Sequence, residues 1–258
     1  MPLWVQRTLP SLARAGRQLL RACYPPACAS CGGFLEDEAL LCAACESALD
    51  ELRRPACRKC AAPLAHEGTP CPWCKGKGLY PFDRIARLTL YQEPMRGLIH
   101  QFKYHRRWPM GERLADQLAE EVAVWEVLQR AEVLVPVPLH FLRYWQRGYN
   151  QAEVLAQRLA GHCAHRAKVV RAVSRIRHTP TQTQLTSATA RRRNVKRAFA
   201  LVRPDDVAGR HVVVVDDVIT SGGTVREVGR MLMHARPASL CAVALAVADP
   251  KGRGFQRV

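Results

Sequence analysis

From residue 81 onward, the chain alternates between short apolar runs and longer segments with apolar residues at helical spacing. The short runs are typical of β-strands: RIARLTLY (84–91), EVLVPVP (132–138), RHVVVVDD (210–217) and LCAVALAVA (240–248). The longer segments predict helices at 94–104, 111–130, 149–163 and 222–235. Strands and helices therefore take turns, and most strand cores lack alternating polarity. This pattern predicts an α/β domain with a parallel sheet covered on both faces.

The part of the chain before this domain has a different pattern, which is set by cysteine. Of eleven cysteines, eight form four C-x-x-C pairs that begin 14, 15 and 14 residues apart. The two halves, CASCGGFLEDEALLCAAC and CRKCAAPLAHEGTPCPWC, are similar, which indicates an internal repeat. The pairs are Cys28/Cys31, Cys42/Cys45, Cys57/Cys60 and Cys71/Cys74. Two pairs can complete one tetrahedral four-cysteine zinc site.

Two successive ribbons, each holding one structural Zn²⁺, fit this spacing best. Whether the first pair joins the second pair or the third stays open. Disulfides are one alternative, but they need an oxidising compartment. We expect no export signal, because Arg14, Arg17 and Arg21 interrupt any apolar stretch near the start. Redox-active C-x-x-C pairs are a second alternative, but no thioredoxin-like strand context surrounds the four pairs.

These patterns divide the chain into three predicted parts. A basic amphipathic segment at 1–22 precedes a double zinc ribbon at 23–80, and the larger domain occupies 81–258. The first part can form a short helix that packs on the protein itself or touches a membrane surface. No run of eighteen apolar residues occurs, so we expect no integral membrane segment. The predicted location is the cytoplasm, with the inner face of the membrane as a peripheral alternative.

Positive charge is concentrated in one segment of the larger domain. The formal net charge is +17, and residues 139–203 contain fourteen Lys or Arg but a single acid, Glu153. A solubilising surface normally has acids among its basic residues, and this segment lacks them. The segment therefore favours a polyanionic partner: nucleic acid, a phosphorylated metabolite, or both.

The stretch VVVVDDVITSGGT (212–224) brings a buried strand to two neighbouring carboxylates, Asp216 and Asp217. In parallel sheets, ligands bind beyond the carboxyl ends of the strands, so we expect both acids to face a polar ligand or a metal. Small residues, hydroxyl groups and a helix N-terminus follow, and together they suit a phosphate. We call these five residues the signature loop: Thr220, Ser221, Gly222, Gly223 and Thr224. The combination indicates a ligand with a sugar diol and a phosphate.

VVVVDDVITSGGT resembles the phosphoribosyl pyrophosphate (PRPP) signature of type I phosphoribosyltransferases. The cysteine-rich start and the segments LIHQFKYH, VPVPLH, RGYNQA, TPTQTQL and RRRNVKRAF occur in an order similar to that of the ComF family of competence-associated proteins. The resemblance spans Cys28 to Ala248. It implies a type I phosphoribosyltransferase fold behind a double zinc ribbon. It also implies Mg²⁺-assisted displacement of pyrophosphate from C1 of the ribose of PRPP.

The resemblance further implies roles for single residues. Asp216 and Asp217 would bind the ribose hydroxyls, directly or beside Mg²⁺, and the signature loop would bind the 5-phosphate. The polar segment 177–197 has no periodicity and is interpreted as a cover over the site. The candidates for binding pyrophosphate or substrate are Lys103, Arg143, Arg147, Arg191, Arg192 and Arg193.

Two functions stay open at this point. The first is a phosphoribosyltransferase, or a PRPP hydrolase, that supports natural transformation by handling imported single-stranded DNA. The second is a non-catalytic nucleic-acid-binding protein that reuses the fold. The predicted partners are PRPP, single-stranded DNA and other DNA-uptake proteins. Base stacking would need exposed aromatic rings, and the candidates are Tyr104, Trp108, Tyr144, Trp145 and Tyr149.

Overall fold

A computed structural model describes residues 26–36, 39–104, 108–177 and 198–249. The strands are β1 (Arg84–Leu90), β2 (Val133–Pro136), β3 (Lys168–Val169), β4 (Val173–Arg175), β5 (Phe199–Leu201), β6 (His211–Ile219) and β7 (Ser239–Val247). The helices are α1 (Ala43–Asp50), α2 (Met95–Tyr104), α3 (Trp108–Glu120), α4 (Val122–Leu128), α5 (Phe141–Arg147), α6 (Gln151–Ala160) and α7 (Gly223–Met233). Five strands form a parallel sheet in the order β1-β7-β6-β2-β3, and β4 pairs with β5 in a separate antiparallel ribbon.

The parallel sheet is buried on both faces, as its valine-rich strands predict. Successive side chains of a strand point to opposite faces. Val213 and Val215 of β6 belong to a core cluster with residues of α2, α3, α4 and α6. Val212 and Val214 belong to a second cluster with residues of α7 and of the β4–β5 pair. The predicted α/β class with a doubly covered sheet is confirmed.

Several details differ from the sequence-based expectation. The predicted helix at 111–130 is two helices, because Glu121 adopts an extended conformation between α3 and α4. The segment RIARLTLY alternates between polar and apolar residues, which is typical of a half-buried strand, but β1 is buried along nearly its whole length because elements cover both of its faces. Helix α5 and strands β3, β4 and β5 were not predicted.

Strand β6 also runs further than RHVVVVDD suggested. Its pairing with β2 ends at Pro136 opposite Val215, whereas its pairing with β7 continues to Ile219 opposite Val247. Strand β6 therefore has no β2 neighbour beyond Val215, which opens space beside the next two residues. Asp216 and Asp217 do not terminate the strand; they lie in it, just past the carboxyl end of β2.

The two halves of the cysteine-rich region pack against different faces of the sheet. Leu35 and Leu49 of the first half belong to the cluster that contains α2 and α3. Ala61 of the second half belongs to the cluster that contains α7. The buried Arg87 of β1 also reaches the second half, since its Nε donates to the carbonyl oxygen of Ala61 at 2.9 Å.

The predicted N-terminal segment 1–22 lies outside the described residues, and the boundary between residues 80 and 81 stays a prediction. Among the residues that the structure describes, no helix has the length and apolarity needed to cross a membrane.

Candidate functional site

The cysteine-rich region contains two copies of one small unit. In the first copy, Cys28 N donates to Gly33 O at 2.8 Å, and in the second, Cys57 N donates to Ala62 O at 2.9 Å. An isolated β-bridge joins Ala27 to Phe34 in the first copy, and a second bridge joins Ala56 to Pro63 at the corresponding position of the second copy. The internal repeat inferred from the sequence is therefore also a repeat of backbone hydrogen bonds.

The eight cysteines form two separate clusters, one in each copy. The clusters are Cys28, Cys31, Cys42 and Cys45, and Cys57, Cys60, Cys71 and Cys74. Within each cluster the sulfur atoms lie within 4.8 Å of one another. The first C-x-x-C pair thus joins the second pair, which resolves the alternative left open by the spacing. We refer to the two units as the first and second ribbons.

The geometry of the clusters fits zinc. Zn–S bonds of about 2.3 Å in a tetrahedron place sulfur atoms about 3.8 Å apart. Cys31 Sγ lies 3.8 Å from Cys42 Sγ, and Cys60 Sγ lies 3.7 Å from Cys71 Sγ. A disulfide would need about 2.05 Å, and all eight cysteines are free thiols. The clusters are suited to two structural zinc ions.

In the larger domain, Asp216 and Asp217 have different neighbours. Lys103, at the end of α2, places its Nζ 2.9 Å from Asp217 Oδ1, and both side chains are largely buried. Asp216 Oδ1 instead accepts a hydrogen bond from the backbone N–H of Asp217 at 2.9 Å. The predicted substrate candidate Lys103 is therefore adjacent to the carboxylates and partly neutralises them.

The two carboxylates share a site with limited access to water. Burial raises the pKa of Asp216 to about 8, and the charge of Asp217 acts in the same direction. Lys103 opposes this shift, but it pairs directly with Asp217 rather than with Asp216. Burial and the adjacent charge therefore favour the protonated form of Asp216.

Three arginines lie on the β2 side of the carboxylates. Arg143 and Arg147, both predicted candidates, lie on α5, the helix that follows β2. Burial lowers the pKa of Arg143, and the charge of Arg147 acts in the same direction. Arg175 of β4 was not singled out by the sequence. Burial lowers its pKa to about 10, with Arg143 adding to the effect and Asp216 opposing it. The surplus of positive charge favours an anionic ligand.

Two further residues join the site without having been predicted as a pair. The hydroxyl of Tyr149 donates to the carbonyl oxygen of Phe102, next to Lys103. Gln151 accepts from Arg147 Nη1 at 3.0 Å. Both residues belong to RGYNQA, one of the segments on which the resemblance to the ComF family depends. Arg191, Arg192 and Arg193 lie outside the described residues, as does most of the predicted cover at 177–197.

The signature loop connects β6 to α7. Gly222 precedes the first residue of α7 and has φ +71°, a conformation that favours glycine. A Cβ at Gly222 would lie 2.8 Å from Cδ2 of Leu79. The absence of a side chain at Gly222 therefore allows a close contact with Leu79. The role of this glycine in leaving room for a phosphate stays a prediction.

We predict that the protein carries about two zinc ions per chain, because each cluster offers a complete set of thiolate ligands. Elemental analysis of protein purified without added metal checks this number. Cys28→Ser and Cys57→Ser should each lower it to about one. Cys241→Ala is the matched control, since Cys241 belongs to neither cluster. A value near zero for the unaltered protein would contradict the assignment.

We also predict a pH-dependent effect of Asp216→Asn on stability. The reference pKa of aspartate is about 3.9, and the folded protein raises it to about 8. Between these values the unfolded chain loses the proton and the folded chain retains it, so the wild type loses stability as pH rises. The free energy of unfolding of Asp216→Asn relative to wild type should therefore increase from pH 4 to pH 8 and then level off.

Urea unfolding at a series of pH values measures this difference. Asp205→Asn is the control, because Asp205 is exposed and its replacement should leave the pH dependence unchanged. The same pH profile for Asp216→Asn and wild type would show that burial of this carboxylate is not costly.

The model of the phosphoribosyl transferase domain matches residues 146–257, and the model of the double zinc ribbon domain matches residues 19–75. One solved structure, of the allosteric regulatory enzyme of purine biosynthesis, aligns with this chain at 23% identity and a TM-score of 0.34. The alignment covers 52% of this chain and 25% of the chain of that enzyme. That TM-score is too low to support an inference.

Similarity to curated proteins extends across most of the chain. The DNA utilization protein YhgH of Salmonella typhimurium is 39% identical over 197 residues, which are 75% of this chain and 84% of that protein. Competence protein F of Haemophilus influenzae is 34% identical over 196 residues, 74% of this chain and 83% of its own length. Together with the double zinc ribbon and the phosphoribosyltransferase domain, these similarities show that the chain belongs to the ComF family.

Proposed function

We propose that the protein binds PRPP with Mg²⁺ and catalyses displacement of its pyrophosphate. The observation that carries this proposal is the placement of Asp216, Asp217 and the signature loop at one edge of the sheet, next to Lys103. The edge combines hydrogen-bond acceptors for a ribose diol with a helix N-terminus for a phosphate. The match to the phosphoribosyl transferase domain supports the same ligand.

Each part of PRPP then has a group of matching chemistry. The carboxylates of Asp216 and Asp217 accept hydrogen bonds from the 2- and 3-hydroxyls of the ribose. Thr220, Ser221 and Thr224 offer hydroxyl groups to the 5-phosphate, beside the N-terminal end of α7. Carboxylate oxygens are also the ligands that Mg²⁺ prefers, and Mg²⁺ held there would neutralise part of the pyrophosphate charge.

The reaction breaks the bond between C1 of the ribose and the pyrophosphate oxygen, and the pyrophosphate leaves with the electron pair. A nucleophile forms the new bond to C1, and positive charge develops on the ribose in the transition state. The chain contributes by holding the sugar and by stabilising the departing anion. Arg143 and Arg175 suit the second task, because desolvation strengthens their attraction for an anion, and Arg147 adds a further positive charge on the same helix as Arg143.

Replacement of the carboxylates tests PRPP binding. We expect Asp217→Asn and Asp216→Asn each to weaken PRPP binding about tenfold or more, because each loses charge-assisted hydrogen bonds. Calorimetry with PRPP and Mg²⁺ measures the affinity, and a pyrophosphate assay measures turnover. Asp205→Asn, in an exposed loop, should bind as the wild type does. Absence of PRPP binding by the wild type would refute the proposal.

A second function, binding of single-stranded DNA, is favoured by the surface of α5. None of the seven residues of this helix is buried, and Phe141, Tyr144 and Trp145 are 65%, 46% and 83% exposed. They line a cleft of about 540 Å³ together with Arg171 and Arg175. Exposed rings beside arginines are what stacking of bases and binding of phosphates require.

Other aromatic candidates agree in part with this interpretation. Tyr104 and Trp108 are each 55% exposed, and the guanidinium of Arg147 lies 5.3 Å from the centre of the Tyr104 ring. Tyr149 is only partly exposed and its hydroxyl is engaged. We infer that the protein handles single-stranded DNA in natural transformation, with other DNA-uptake proteins as partners. The names of the relatives, DNA utilization protein and competence protein, support this inference.

We expect the double variant Phe141→Ala/Trp145→Ala to bind single-stranded DNA at least about fivefold less tightly, because it loses stacking with one or two bases. Fluorescence anisotropy with a labelled oligonucleotide measures the affinity. Trp125→Ala is the matched control, since Trp125 is a 54% exposed tryptophan on α4. Equal losses for the two variants would show that α5 is not a specific surface.

The salt dependence separates the two functions. If Arg191, Arg192 and Arg193 contact DNA, their triple alanine variant should bind DNA with a smaller salt slope, by roughly 0.7 for each lost phosphate contact. If these arginines contact only pyrophosphate, the variant should lose PRPP affinity or turnover and keep its DNA affinity. We expect both effects, with the larger one on DNA. A wild-type protein without salt-sensitive DNA affinity would exclude the DNA function and leave the enzymatic one.

A further inference from the structure

The segment between the second ribbon and β1 lies against α7. A Cβ at Gly222 would lie 2.8 Å from Cδ2 of Leu79, and a Cβ at Gly229 would lie 2.8 Å from Cζ of Phe82. Leu79 and Phe82 are both buried. Two glycines of the α7 region therefore allow one segment to pack closely along it, and the first of them belongs to the signature loop.

The same segment is fixed to the second ribbon by its backbone. Leu79 N donates to the carbonyl oxygen of Lys59 at 3.1 Å, and Lys59 lies between the ligands Cys57 and Cys60. Lys59 Nζ donates to Gly76 O at 2.9 Å, which links the two C-x-x-C pairs of this ribbon. The position of Leu79 thus depends on the backbone conformation of a C-x-x-C pair.

Apolar residues at both ends of the signature loop share a core cluster with Leu79. Ile219 precedes the loop and Val225 follows its last residue. Both are buried in the core cluster that also contains Leu79 and Ala61, the residue directly after Cys60. Apolar side chains of the second ribbon and its exit therefore lie beneath the loop.

We propose that the second ribbon positions the signature loop through Leu79, so that zinc binding by this ribbon is coupled to anion binding by the loop. Cysteine thiolates that hold zinc fix the backbone at Lys59, and Lys59 in turn fixes Leu79 against Gly222. Loss of this contact lets the loop leave the conformation in which it presents its hydroxyl groups. Leu79 is a positioning residue. The part of the proposal that concerns anion binding rests on the proposed function.

Hydrogen exchange of residues 219–226 tests the positioning directly, since it requires no ligand. We expect Leu79→Ala to speed exchange there by at least about fivefold, with the zinc content kept at the wild-type value. Leu64→Ala is the matched control: Leu64 is a partly buried leucine of the same ribbon, packed in a different cluster. Loop exchange equal to that of the wild type in Leu79→Ala would overturn the proposal.

A double-mutant cycle distinguishes a direct contact between Leu79 and Gly222 from a general loss of stability. Gly222→Ala adds a methyl group that meets Leu79, whereas in the Leu79→Ala background the same methyl group enters vacated space. The two substitutions together should therefore perturb loop exchange less than the product of their separate effects. Effects that simply multiply would count against a direct contact. Leu79→Met, which retains most of the apolar volume, should keep slow exchange; rapid exchange in Leu79→Met would also contradict the proposal.

PRPP affinity provides the functional readout. In a protein that binds PRPP, Leu79→Ala should weaken binding at least about fivefold, whereas Leu64→Ala should not. If the wild type fails to bind PRPP, the proposed function is wrong, while the exchange experiment still decides whether Leu79 positions the loop. Fast loop exchange in Leu79→Ala without any loss of PRPP affinity would overturn the coupling to anion binding.

Discussion

The ion pair between Lys103 and Asp217 is the interaction on which the site depends. Two adjacent carboxylates in a largely buried strand would repel each other and lose hydration. Nζ of Lys103 lies 2.9 Å from Asp217, and this contact joins the end of α2 to β6. Asp216 has the raised pKa. The two identical side chains therefore differ: Asp217 is paired with Lys103, whereas burial and the charge of Asp217 raise the pKa of Asp216.

The elements around Asp216 and Asp217 meet at the same edge of the sheet. Strand β2 stops opposite Val215, which leaves room beside the acids, and its continuation leads into the arginines of α5. The first ribbon packs against the face that carries α2, and Gln101 of α2 donates to the carbonyl oxygen of Ala29. The second ribbon packs against the face that carries α7. Each ribbon thus supports an element that contributes to the site.

Local patterns predicted much of this structure. The eight cysteine ligands follow from spacing, because a C-x-x-C pair sets ligand geometry within a few residues. The buried valines of β6 and the small residues after it likewise indicated the edge of the sheet. Helix α5 was not found in this way, because none of its residues is buried and its seven residues are fewer than the window of about 11–18 over which helical periodicity is read. No glycine or proline marked the break at Glu121.

Contacts between distant parts of the chain were also beyond sequence reasoning. Lys103 was a candidate, but only the fold pairs it with Asp217. The sequence did not distinguish Arg175 from the other basic residues of its segment, whereas in the fold β4 brings it near Asp216. Gly222 was predicted only as a small residue of a phosphate-binding loop, and the fold adds a close contact with Leu79. Such contacts depend on topology, which no single stretch of residues encodes.

The two ribbons differ at one backbone position in a way that makes their roles unequal. Gly32 of the first ribbon has φ +74°, and the corresponding residue of the second ribbon, Ala61, has φ +57°. Alanine is strained in this conformation, but its methyl group is fully buried in the core cluster shared with α7. The second ribbon thus combines a strained turn with an apolar contact to the larger domain, whereas the first has an unstrained turn at this position. The ribbons are not interchangeable: a chain with two copies of the first would retain both sets of metal ligands and lose that contact.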